Sequence, residues 1–333
     1  MSLRSDLLRV GPYDGAHRVA ARAGLSVAVP LLVLFATDHL AWSAYAAFGA
    51  FTALYARNRV GRARLRMQAA IGALLTVIIT LAAVVGSLDA RAWLAVPVAA
   101  ALAVAVSVAS DRWRWHPPGA LFPVFAFSAV ASVPGEPADV PVALLVAGAS
   151  AAFAVVVGSA GAGRRGDLAT PGPRGERGPV LLRAHAVPSG LAVLVAGSIA
   201  TAAGIGHPYW AMVSAVVPLA ARSRTAQVVR GVHRVVGTAA GLVVAGLLLA
   251  LDPGGLVLVL LVIALQVAAE LLVGRHYAVA LVAITPLALL MVHLAAPTAT
   301  RDLLVDRGVE TVIGVLVGLG VAQLVSGRRA AAG

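Results

Sequence analysis

Twelve apolar runs, each parted from the next by a few charged or helix-breaking residues, take up most of this chain and decide what it can become. They lie near 19–37, 40–56, 67–86, 92–109, 119–133 and 140–160, then near 186–204, 208–221, 235–251, 256–273, 277–296 and 303–326. A helix crossing the hydrocarbon core of a bilayer needs about 20 residues, so twelve crossings consume about 240 of the 333. No second, soluble domain fits in what is left. Composition agrees, because 60% of residues are hydrophobic, 34 are Gly and only 12% are charged. A soluble globular chain carries about twice that charge. The expectation is an all-α polytopic membrane protein of about twelve transmembrane helices.

All 26 basic residues are Arg, against 14 acids, for a net charge of +12. In a soluble protein that excess suggests nucleic acid. Here it marks orientation instead: with the N-terminus inside, cytoplasmic segments hold 23 of the 26 Arg residues, five of them in 57–66. Positive charge near span ends is retained on the cytoplasmic side. The pattern predicts N-in, C-in topology in a bacterial plasma (inner) membrane, with no nucleic-acid partner. Cys is absent from the sequence, which excludes disulfides and thiolate chemistry. Residues 1–18 show no short apolar core with a small-residue cleavage site, so the first span is expected to serve as its own targeting signal.

The sequence also repeats itself. A shift of 168 positions lays His17 on His185, His39 on His207, Trp42 on Trp210, Arg62 on Arg230 and Arg66 on Arg234. Near a shift of 160, His116 meets His276, and the run from Gly158 back to Ser150 meets that from Gly318 back to Glu310. The expected organisation is a first six-helix repeat over 1–160, a cytoplasmic linker rich in Gly, Pro and Arg over 161–183, and a second six-helix repeat over 184–333. Six is even, so both copies begin and end on the cytoplasmic side and run parallel. Transporters built this way often place the substrate path between the halves.

The segment His207-Pro208-Tyr209-Trp210, the basic loop Arg222-Ser-Arg-Thr-Ala-Gln-Val-Val-Arg230, and His233-Arg234-Val-Val-Gly237-Thr238-Ala-Ala-Gly241 together resemble the fusaric acid resistance protein-like (FUSC) family. Its relatives include the aromatic acid exporters and, more distantly, the plant aluminium-activated malate channels. The likeness covers most of 186–325, with a weaker copy over 17–160. It implies an inner-membrane protein of six plus six helices that moves organic anions outward. Larger family members carry long soluble segments after each helical block; this chain has only the linker.

Charged residues inside a bilayer are costly and mark candidate sites. In the last span Asp306, Glu310, Gly314 and Gly318 recur every fourth residue on one helix face, with Arg307 one turn before Glu310. These are candidates for proton coupling and substrate binding, since burial and Arg307 pull the proton affinity of Glu310 in opposite directions. The alternative is a structural Arg307/Glu310 pair beside glycines that permit close packing. The equivalent first-half positions are Ala147 and Ser150, so the site is expected to be asymmetric. Glu270 joins the candidates, with pairing to Arg275 or snorkelling as its alternative. Arg22 suits bidentate carboxylate binding but also snorkelling. His293 follows Thr285-Pro286, where a missing donor can open the helix. His39, Trp42, His207, Tyr209 and Trp210 read either as interfacial anchors or as an outer vestibule that stacks on a flat acid.

No phosphate-binding loop and no His-Glu-x-x-His motif occurs, so neither enzyme chemistry nor a cofactor or metal is expected. The expected function is proton-driven efflux of small organic acids, aromatic ones among them. A passive organic-anion channel with an Arg lining and a non-transporting scaffold are the alternatives. The expected partners are a small organic anion and membrane lipids, and a homo-oligomer is compatible with the sequence.

Overall fold

The computed structural model describes residues 3–12, 15–160, 179–221 and 223–331. The first half comprises α1 (Leu3–Leu7), α2 (Ala16–Ala36), α3 (Ser43–Ala50), α4 (Gly61–Gly86), α5 (Arg91–Trp113), α6 (Leu121–Ser132) and α7 (Asp139–Ser159). Short 3-10 turns, Leu40–Trp42 and Phe51–Leu54, flank α3. The second half comprises α8 (Pro179–Ala202), α9 (Tyr209–Leu219), α10 (Arg224–Ala250), α11 (Gly255–Leu272), α12 (Tyr277–Ala295) and α13 (Thr300–Ala331). Most of the expected linker, 161–178, lies outside the described residues. Among those described there is no strand, as lipid demands of a chain that must satisfy its backbone within each segment.

Eight of the described helices are long and apolar enough to cross a membrane: α2, α4, α5, α7, α10, α11, α12 and α13. The expected twelve crossings are thus supported at eight of the described helices. Segments Leu40–Leu54, Leu121–Ser132, Ala186–Ala202 and Tyr209–Leu219 are shorter apolar stretches. The 11 residues of α9 rise about 16 Å, roughly half of a bilayer core. Locally, Pro208 precedes α9 and Pro218 sits in its last turn, so the 14-residue apolar run 208–221 holds a helix of 11 residues. Conversely, α4 and α10 start several residues before their apolar runs and carry the basic loop residues on their first turns. Ser223 helps start α10 by accepting a hydrogen bond from the Ala226 amide at 3.2 Å.

The outward faces are apolar: Val77, Leu145, Val156, Leu247, Leu316 and Leu324 are all more than 60% exposed. An apolar surface of that extent suits contact with lipid. Inside, glycines set the approach of neighbouring helices. A Cβ on Gly314 or Gly318 of α13 would collide with the backbone of Ala211 or Ala215 on α9. Gly49 on α3 holds the corresponding close contact with Ala147 on α7.

The two halves share most of their helix contacts. α4 packs on α6 and α7, as α10 does on α12 and α13. Across the seam α2 lies on α11 and α5 on α8, while α3 touches α12 and α6 touches α9. Gly24 of α2 faces Val267 of α11, and Gly190 of α8 faces Val104 of α5. Each half is thus clasped by the first helix of the other. The N-terminal segment docks on the second half, where the Leu7 carbonyl accepts from the Nε2 atoms of His233 at 2.9 Å and His276 at 3.0 Å.

Candidate functional site

The charged stripe of α13 turns inward against the beginning of α9. His207 Nδ1 lies 2.7 Å from Asp306 Oδ2. Glu310 is fully buried, and its Oε2 accepts from the Trp210 amide at 3.1 Å, so the carboxylate caps the N-terminal turn of α9. The Arg307 guanidinium lies 4.0 Å from the centroid of the Trp210 ring, a cation–π contact. The structure therefore joins two groups that the sequence presents separately: Asp306, Arg307 and Glu310 on one helix, His207, Tyr209 and Trp210 on another. Tyr209 and Trp210 are each only 1% exposed and pack on Phe125 of α6. They form the wall of a buried cluster, not an open outer vestibule or an interfacial belt.

Arg234 on α10 is a member that the sequence names only in the repeat and in the family-like segment, not as a candidate. It is 4% exposed; its Nε and Nη2 donate to Ser214 Oγ at 3.3 Å and its Nη1 to Tyr277 Oη at 3.2 Å. Arg307 is 1% exposed and lies within Coulombic reach of Arg234, Glu310, Tyr209 and Tyr277. Neither guanidinium has a carboxylate at ion-pair distance among the described residues. Arg307 Nε and Nη1, Glu310 Oε1 and Trp210 Nε1 are buried without a hydrogen-bond partner. A sequence signal for Arg234 did exist. It stands one turn before Thr238 on the face of α10 that also carries Gly237 and Gly241, the small-residue face that must point inward.

The first half repeats the frame without the chemistry. Arg66, the mate of Arg234 by the sequence shift, is exposed, while Arg64 is buried and its Nε donates to the Ala56 carbonyl at 3.4 Å. The buried faces correspond when Arg64 is matched with Arg234, Gln68 with Thr238 and Leu75 with Ala245. No carboxylate stands where Glu310 does. The interior there is a chain of edge-to-face aromatic rings, Tyr55, Phe122, Phe51, Phe48 and Phe125, ending against Trp210.

The other sequence candidates stand apart. Glu270 on α11 pairs with Arg57, which follows α3, so the expected partner Arg275 is replaced by a residue of the other half. Arg22 is half-buried on α2, which packs chiefly on α3, α7 and α11. His293 sits near the end of α12, with a buried Nδ1 that has no partner. His39 is exposed, contacts the Thr37 carbonyl and packs tilted against Trp42, ring centroids 4.1 Å apart, so His39 does not enter the first half as Trp210 enters the second.

Residues 194–321 match the family model described as fusaric acid resistance protein-like, and that stretch contains every member of the buried cluster except Phe125. That stretch is similar to the family; the rest of the chain lies outside the match. A relative from Bacillus subtilis (strain 168), described as the uncharacterized membrane protein YvaC, is 28% identical over 144 residues. The aligned stretch covers 43% of this chain and 22% of that protein. No solved structure matches. The matched segment runs from within α8 into α13 and holds both Arg234 and Arg307.

Proposed function

We propose that the chain is a proton-coupled carrier of small organic anions, aromatic acids among them, working in the efflux direction. On this reading it is not an enzyme, and it lies in a bacterial plasma membrane with both termini in the cytoplasm. Its two parallel six-helix halves are supported by the matched packing of α2 on α11 and α8 on α5. The observation that carries the reading is the pair of buried guanidinia, Arg234 and Arg307, without carboxylate partners and beside one buried carboxylate, Glu310. An unpaired charge in such surroundings costs several kcal/mol. A guanidinium is the side chain best matched to a carboxylate, and an aromatic wall of Tyr209, Trp210 and Phe125 suits a flat acid.

The test is flux in proteoliposomes carrying an imposed pH gradient, with benzoate and malate as probes, comparing the natural sequence with Glu310→Gln. Gradient-driven accumulation that the variant loses while downhill movement persists is the expected result. Movement that ignores both the gradient and the variant would make the protein a channel. No movement of either acid would leave only a scaffold.

A further inference from the structure

We infer that a proton on Glu310 and a carboxylate at Arg307 and Arg234 load together, so that acid and proton cross in the same direction. This rests on the carrier reading above and fixes the sign of its coupling.

The argument is one of charge and place. Glu310 lies one turn beyond Arg307 on α13, within Coulombic reach of it, and Arg307 in turn reaches Arg234. The groups facing Glu310 can be named from each packed element. Glu310 itself faces Tyr209 at the start of α9 and Asp306 and Arg307 on α13; beyond these, Arg307 faces Arg234 of α10 and Tyr277 of α12, and Asp306 faces His207 ahead of α9. On α8, residues 186–202 contain no ionisable side chain. Asp306 is engaged by His207 at the edge of the cluster, where each is about one-sixth exposed.

With Glu310 ionised, two guanidinia and one carboxylate leave one uncompensated positive charge. Protonation leaves two. An incoming carboxylate is therefore held more strongly when Glu310 carries a proton, because it no longer competes with a resident anion for Arg307. The bound carboxylate also takes over the neutralising part that Glu310 plays beside the N-terminal turn of α9. By linkage, the anion raises the proton affinity of the site by the same factor that the proton raises anion affinity. Counter-transport would need the opposite arrangement, a group whose protonation weakens anion binding, and the cluster contains none on these elements. A monovalent acid moving with one proton carries no net charge. Efflux then follows the outward gradient of the acid itself, and an inward proton gradient opposes it.

The experiment uses the full-length protein in lipid nanodiscs with benzoate as probe, in weakly buffered solution containing a pH indicator. Binding is expected to take up as much as one proton per benzoate. Above the titration of Glu310, Kd should weaken by about tenfold per pH unit. Glu310→Gln, which keeps a carbonyl for the Trp210 amide, should bind with no proton uptake and a flat pH profile. Proton release on binding, or uptake that persists unchanged in Glu310→Gln, overturns the inference and leaves the carrier reading standing. Absence of benzoate binding at every pH overturns both. A check that needs no variant is benzoate flux under a potassium diffusion potential: unchanged flux supports paired movement, and flux accelerated by the potential contradicts it.

Discussion

Arg234→Met is expected to lower carboxylate affinity by roughly 10- to 100-fold while moving the melting temperature by no more than a few degrees. The two halves of this expectation have different causes. Affinity falls because a charge-assisted hydrogen bond to a ligand is worth about 1.5–3 kcal/mol, and the Met side chain offers no donor. Stability holds because Arg234 donates only to the hydroxyls of Ser214 and Tyr277, with no carboxylate to strand when it is removed. Replacing a buried charge by an apolar side chain of similar volume is often neutral or stabilising. The measurements are benzoate binding and thermal unfolding on the same detergent-purified sample. A large fall in melting temperature with affinity intact would make Arg234 a strut for α9 and α12 and remove it from the site.

Gly314→Leu is expected to have the largest effect on the fold. A Cβ at this position already meets the Ala211 carbonyl, the Ser214 side chain and the Ala215 amide, most of which are backbone that cannot rotate away. Overpacking a core typically costs about 1–3 kcal/mol, and the extra branches of Leu push toward the upper end or beyond. Displacing α9 from α13 also carries Trp210 away from Arg307 and Glu310. The variant should therefore elute as an aggregated or polydisperse species on size-exclusion chromatography and lose benzoate binding with it. Gly320→Ala is the matched control, since no atom lies within 4 Å of its Cβ position and Ala is favoured over Gly in a helix by up to about 1 kcal/mol. A monodisperse, binding-competent Gly314→Leu would show that α9 and α13 are not locked at this glycine.

Much of this was legible in the chain because it is local. Apolar runs separated by Arg-rich or acidic punctuation specify helices in lipid, and the spacing of Asp306, Glu310, Gly314 and Gly318 specifies a single helix face. What could not be read is what that face meets. Glu310 and the Trp210 amide are a hundred residues apart, and Arg57 and Glu270 are 213 apart, separations over which no periodicity carries information. The repeat misled in one place, where identity of residue type matched Arg66 with Arg234 although the inward face of α4 presents Arg64. It also suggested equal outer ends, yet Trp210 is fully buried while Trp42 is only partly buried beside the exposed His39. At α9 hydropathy does not give the helix length, because it registers apolar residues wherever they stand while Pro208 precedes and Pro218 nearly ends a helix of 11 residues.

The most direct measurement is localisation of a halogenated acid: a crystal of the protein grown with 4-bromobenzoate, with bromine placed by its anomalous scattering. The expected result is a bromine position inside the second half, with the carboxylate within hydrogen-bond distance of Arg307 and Arg234. Bromine in the seam between the halves, along α2 and α11 or α5 and α8, or no ordered bromine at saturating concentration, would contradict the assignment of the buried guanidinium pair as the anion site.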